Sequence, residues 1–181
     1  MAIGDSYQGG KVAYILQSSE TIYATNGSVL YSYDANVQHG LIAATTDQSI
    51  YTIWALTTYE ASSVPAPGAT GTAIGTGLTN TTAIIAQNGA GTTYAAGLCD
   101  AYINKDTGTG VYSDWYLPSK DELNQLYLNQ GLIGGFASAY YWSSSESESD
   151  SLKAWERHFG NGSQYDVFKY NTVYVRAVRA F

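Results

Sequence analysis

Helix signals are confined to the middle of this chain, and that confinement limits the folds open to it. Ser119-Lys-Asp-Glu122 is a capping box, in which the Ser119 hydroxyl accepts from the Glu122 amide while the Glu122 carboxylate reaches back. Pro118 ends the extended segment before it. Leu123, Leu126 and Tyr127 then recur at helical spacing on one face, and Gly131, Gly134 and Gly135 stop the helix. Upstream, the Ala-rich stretches Thr79–Gln87 and Thr92–Ile103 carry an apolar stripe of Ile84, Ile85, Tyr94, Ala95, Leu98 and Ile103. Short β-prone runs flank these helices. Lys11–Gln17, Thr21–Tyr23, Val29–Tyr33, Gly40–Ala44 and Ile50–Leu56 precede them, and Tyr140–Ser145, Lys153–Phe159, Gln164–Tyr170 and Thr172–Phe181 follow. Asn26-Gly27 marks a hairpin turn. The order strand, helix, strand predicts an α+β fold, and 181 residues suit a single domain, 1–181.

Charge and composition narrow the function. Eight basic against fifteen acidic residues leave a net charge of −7, which disfavours nucleic-acid binding and docking on an anionic membrane. No run of about twenty apolar residues is present, so membrane insertion is not expected. The start, Met1-Ala2-Ile3-Gly4-Asp5-Ser6, shows no signal-peptide pattern. Cys99 is the single cysteine and His39 and His158 are the two histidines, leaving little for a Cys or His metal centre. Seventeen Tyr and nineteen Gly suit a recognition surface, where rigid aromatic area is set among small adaptable residues.

Catalytic patterns are missing. Neither histidine stands in a nucleophile–base arrangement, and no Gly-x-Ser-x-Gly elbow occurs. Cys99 on the apolar stripe reads as a buried, inert thiol, and His158 reads as a surface contact residue. Ser62–Gly77 reads as a surface loop, since no Gly-Lys-Ser/Thr follows its glycines. In Glu146-Ser-Glu148-Ser-Asp150, alternate residues of an extended segment place three carboxylates on one side. A solvated loop is the expected reading, with Ca²⁺ the one cofactor such a cluster could take. Asn26, Asn80 and Asn161 stand in Asn-x-Ser/Thr sequences and read as turn residues.

The segment 140–181 holds ten of the 25 aromatic and five of the eight basic residues, which marks it as the part that meets a ligand. Several of its motifs, with others upstream, form an ordered set. They are Trp115-Tyr-Leu-Pro-Ser-Lys-Asp-Glu-Leu123, Ile133-Gly-Gly-Phe136, Tyr141-Trp-Ser-Ser-Ser-Glu146, Ala154-Trp155, Phe159 and Tyr174-Val-Arg-Ala-Val-Arg-Ala-Phe181. Ile3-Gly-Asp-Ser-Tyr-Gln-Gly9 and His39-Gly-Leu-Ile-Ala43 extend the set over nearly the whole chain. The set resembles the family named after the C-terminal domain of the Lcl collagen-like adhesin.

That resemblance implies a C-type-lectin-like fold, with a twisted antiparallel sheet, two or three helices and long loops. It also implies a variable protein of a diversity-generating retroelement, in which template Asn codons are miscopied at their first two bases while the framework stays fixed. Such codons can yield Ser147, Ser149, Asp150, Ser151, Leu152, Arg157, His158, Gly160, Ser163, Tyr165, Asp166, Val167, Phe168, Tyr170, Thr172 and Val173, the expected ligand-binding residues. They cannot yield Glu148, Lys153, Glu156, Gln164 or Lys169, which fall to the framework or to another template. Tyr165, Phe168 and Tyr170 are expected to supply contact area, with Arg157 and Asp166 adding charged specificity. Trp142, Trp155 and Phe159 are expected in the core, and Arg176 and Arg179 are expected to pair with a carboxylate or carbonyl. The calcium-dependent sugar-binding motifs and the catalytic cysteines of the formylglycine-generating enzymes, which share the broad fold, are absent. The expected function is non-enzymatic binding to a host cell-surface protein or glycan by a phage tail or cell-surface protein, with a homotrimer as the assembly the resemblance suggests. A fixed-specificity adhesin or carbohydrate-binding domain is the alternative.

Overall fold

The computed structural model describes residues 1–56, 68–104 and 108–181. The first half supplies β1 (Ser6–Tyr7), β2 (Gly10–Ile15), β3 (Thr21–Tyr23), β4 (Val29–Ser32), β5 (Gly40–Ala43) and β6 (Ser49–Thr52). Among the described residues four helices follow, against the two or three expected: α1 (Gly77–Asn88), α2 (Ala95–Asp100), α3 (Lys120–Leu128) and the single turn α4 (Gln130–Ile133). The last part supplies β7 (Tyr140–Glu146), β8 (Lys153–His158), β9 (Gln164–Phe168), β10 (Val173–Val175) and β11 (Val178–Ala180). The α+β expectation holds. Residues 62–67 of the expected loop lie outside the described residues.

Among the described residues three sheets form, in the orders β1-β2-β5-β11, β6-β10-β7-β8-β9 and β3-β4. The five-stranded sheet is not purely antiparallel as expected, because β10 runs parallel to β7, with Tyr174 beside Tyr141. The expected single strand Thr172–Phe181 is broken at Arg176-Ala177, and its halves join different sheets. Side-chain bonding at the break explains the switch. The Arg176 Nε donates to Asp47 Oδ1 at 2.7 Å and its Nη1 donates to the Ala44 carbonyl at 2.9 Å. The Ala177 N–H is taken by the Gln48 side chain. A buried guanidinium that needs several acceptors has therefore displaced ladder bonding at this point.

The expected capping box is present. Ser119 Oγ accepts the Glu122 N–H, and Glu122 Oε2 accepts the Ser119 N–H at 2.8 Å. Glu122 does more than cap its own helix, since its Oε1 accepts the Gly75 N–H at 2.8 Å just ahead of α1. Gly75 has φ +89°, and a Cβ there would lie 1.9 Å from the Thr21 carbonyl oxygen, so only glycine fits. Glu122 is fully buried, and burial pushes its carboxyl up to about 7 against the pull of these N–H donors.

Two apolar clusters fill the interior. One gathers Trp54, Trp115, Trp142, Ile42, Ile84 and Tyr94, and includes Cys99, whose thiol is inert because burial pushes its pKa up. The other gathers Tyr116, Leu123, Leu126, Tyr141, Phe159 and Val178. Trp54 and Trp142 cross-tie the first cluster: the Trp54 indole donates to the Ser143 carbonyl at 2.7 Å, and the Trp142 indole to the Thr52 carbonyl at 3.0 Å. Asn26 and Asn161 make the expected turns, each accepting the N–H two residues on at 3.0 Å. Asn80 does not. It is buried in α1, where its side chain donates to the Gly71 carbonyl at 2.6 Å.

Candidate ligand-binding site

The register of β8 and β9 organises the segment expected to bind. Lys153 stands opposite Phe168, Trp155 opposite Asp166, and Arg157 opposite Gln164. Successive side chains on a strand point to opposite faces, so these six share one face. Ala154, Glu156, Tyr165 and Val167 share the other. Helix α3 lies along the first face: Lys120 and Tyr127, two turns apart, sit over Trp155 and Arg157. The Lys120 ammonium is 3.2 Å from the Trp155 ring centre, and the Arg157 guanidinium carbon is 4.4 Å from that of Tyr127. Lys153 lies 5.6 Å from the Phe168 ring centre. Each rung of this face thus carries a cation against an aromatic ring.

A cleft of about 300 Å³ opens beside the middle rung, lined by Thr72, Lys120, Ser147, Glu148, Ser149 and Trp155. Ser147 Oγ donates to Asp166 Oδ2 at 2.9 Å and lies 3.1 Å from Ser149 Oγ. Phe168 and Tyr170 stack at 5.1 Å with ring planes 8° apart, and both are exposed. Ser147, Ser149, Asp166, Phe168, Tyr170 and Arg157 are thereby gathered on or beside one face. A larger cleft of about 380 Å³, between the β5–β6 connection and α2, holds none of the expected residues.

The other expected residues fall elsewhere. Tyr165, exposed, lies on the opposite face, directly across from Glu156. Val167 and Val173 pack against the core. Asp150, Ser151 and Leu152 form the half-buried turn before β8, where Asp150 Oδ1 accepts the Leu152 N–H at 3.0 Å. His158 ends β8, and Gly160 and Ser163 belong to the β8–β9 turn. There the His158 Nδ1 accepts the N–H groups of Gly160 and Asn161 at 3.0 and 3.2 Å. A Cβ at Gly160 would meet Ser138 Oγ at 2.1 Å. Thr172 is half-buried between β9 and β10.

Two sequence expectations are corrected. Trp155 is half-buried at the cleft rather than in the core, because Lys120 of α3 covers its ring instead of apolar side chains; Trp142 and Phe159 are in the core as expected. The three acids of Glu146–Asp150 do not line one solvated side. Strand β7 runs inward through Glu146, which is buried and ion-paired with the equally buried Lys169, while Glu148 is exposed and Asp150 lies 3.7 Å from Lys153. Among the described residues no group of three His, Cys, Asp or Glu is placed to hold a metal ion. Arg179 pairs with both oxygens of Asp114 at 2.7 Å, as expected of it.

Lys120, Thr72, Glu148 and Trp155 were missed as site residues. A signal for Lys120 was available: a cation in the first turn of a helix opposes the helix dipole and needs another partner. Glu156, 5% exposed, is pushed up to about 7 by burial alone.

A search of curated proteins finds no match to the chain. The family model of the Lcl C-terminal domain matches residues 43–179, a span that holds the whole five-stranded sheet and the four described helices. The chain belongs to the Lcl C-terminal domain family.

Proposed function

We propose that this protein is a non-enzymatic binding module with a C-type-lectin-like fold, whose β8–β9 face recognises a protein or glycan on a host cell. In this reading it is a phage tail receptor-binding protein or a cell-surface adhesin, and a retroelement diversifies the positions that miscopied Asn codons can reach. One observation carries the proposal: permitted and barred positions alternate between two physical roles around residues 168–170. Phe168 and Tyr170 are permitted, exposed and stacked, a rigid contact area with few rotors to freeze. Lys169 between them is barred, fully buried and paired with Glu146. Barred Glu156 is likewise buried. Variation at the permitted sites would change the surface while leaving these charged anchors in place.

A threefold assembly belongs to the same reading, and sedimentation showing only monomer at micromolar concentration would remove it. Sequencing the locus across many isolates of its source tests the central claim. Substitutions confined to the permitted positions between 147 and 173 are expected, with Tyr141–Glu146 and Tyr174–Phe181 constant. An invariant segment would overturn diversification and leave an adhesin with one fixed ligand.

A further inference from the structure

The chain has three arginines, and the structure treats one of them differently. Each guanidinium lies over an aromatic ring: Arg176 at 4.1 Å from Phe136, Arg179 at 4.2 Å from Tyr112 and Arg157 at 4.4 Å from Tyr127. Arg176 and Arg179 each also hold a carboxylate, Asp47 and Asp114. Arg157 is just as enclosed, at 8% exposed, yet among the described residues no carboxylate lies within ion-pairing distance of it. Its Nε is sealed from solvent without a hydrogen-bond partner.

The acids nearest in sequence and register are engaged or turned away. Asp166, diagonally across β9 on the same face, directs its carboxylate to the Ser147 hydroxyl. Glu156 projects from the opposite face of β8. Directly across the strands stand Tyr141 and Gln164, neither of which brings a negative charge. Burial without a counter-charge disfavours the cationic form and lowers the pKa of Arg157. A ring face offsets only part of that cost. What is missing at Arg157 is what its two sister arginines have.

We infer that Arg157 is a socket for a single carboxylate borne by the ligand, received by the two terminal Nη groups of the guanidinium, which are not sealed as its Nε is, beside Tyr127 and Gln164. The planar fork matches a carboxylate with two parallel hydrogen bonds, which an ammonium cannot do. A densely anionic ligand fits poorly, because the protein carries a net charge of −7, Asp166 stands on the neighbouring rung, Glu148 lines the cleft and Asp150 lies beside Lys153. An isolated carboxylate on an otherwise neutral or basic surface fits well. Arg157 occupies a permitted codon position, so this deepens the binding-module reading by making Arg157 a specificity-determining residue of this variant.

The test follows the Arg157 Nε–H resonance of the intact ¹⁵N-labelled protein during titration with N-acetylglutamate α-amide, glucuronate, inorganic phosphate and the neutral N-acetylglutamine α-amide at constant ionic strength. A saturable millimolar shift with one or both carboxylates, and none with the neutral amide, is expected. A response to the amino-acid derivative alone assigns a peptide source, and to glucuronate alone an acidic sugar. Arg157→Lys keeps the charge and removes the fork, and is expected to weaken binding roughly tenfold, the loss of one charge-assisted hydrogen bond. No shift with either carboxylate, an equal shift with the neutral amide, or a response to phosphate only overturns the socket. That failure leaves the sequencing result untouched, and an invariant locus would leave the titration untouched, so the two ideas fall separately.

Discussion

Lys169→Met and Phe168→Ala, neighbouring changes on the same surface turn, are expected to differ several-fold in their effect on stability. The Lys169 ammonium is fully buried, pairs with Glu146 and lies 4.6 Å from the Trp54 ring centre. Its backbone is held as well, donating to the Leu152 carbonyl at 3.0 Å and accepting the Trp54 N–H at 2.9 Å. Met fills a similar volume but leaves the Glu146 carboxylate buried without that cation. Removing one partner of a buried pair costs about 3–5 kcal/mol, a large share of the roughly 5–15 kcal/mol that holds a domain folded. For a chain of 181 residues that lowers Tm by about 8–13 °C. Phe168 is 39% exposed and its main partner is the Tyr170 ring, so its loss costs about 1 kcal/mol or less. Urea denaturation followed by circular dichroism measures both. The companion double change Glu146→Gln with Lys169→Met is expected to recover part of the loss, because the buried carboxylate charge is then removed together with its cation. If Lys169→Met costs under about 1 kcal/mol, or Phe168→Ala costs as much as it does, the division of this turn into anchor and contact positions is wrong.

Trp142→Ala is expected to destabilise by about 3–5 kcal/mol and Trp155→Ala by about 1 kcal/mol, since one ring is fully buried and the other is a cleft wall. Equal losses in thermal unfolding would return Trp155 to the core. Glu156 makes stability fall as pH rises. Its carboxyl moves from 4.5 in the unfolded chain to about 7 in the fold, so folding takes up a proton between those values. The advantage is complete below about pH 4.5 and lost above about pH 7, up to about 3 kcal/mol in all. Glu122 titrates in the same window, so the informative quantity is the difference between the native protein and Glu156→Gln. Identical slopes of urea midpoint against pH for the two proteins would show that Glu156 does not titrate with a raised pKa.

Much of the local structure was written in adjacent residues. The capping box of α3, the Asn-Gly hairpin and the ends of most strands depend on contacts within a few positions, so Ser119, Glu122 and Gly27 declare them without help from the rest of the chain. The buried thiol and the paired Arg176 and Arg179 were also legible, because an apolar stripe and a cation on a β-rich strand leave few other arrangements. Tertiary structure decided the rest. The break at Arg176-Ala177 depends on Asp47, Gln48 and Ala44, about 130 positions away. The division of residues 164–168 between two faces depends on the register with β8. The capture of Trp155 by Lys120 depends on where α3 lies. A one-dimensional pattern carries period and propensity, whereas the partner of a buried charge or ring is chosen by chain segments that meet only on folding. For that reason the sequence set residues 140–181 apart as the segment expected to bind, and only the fold showed which of them share a face, which are buried beneath it, and that Arg157 stands without a counter-charge among the described residues.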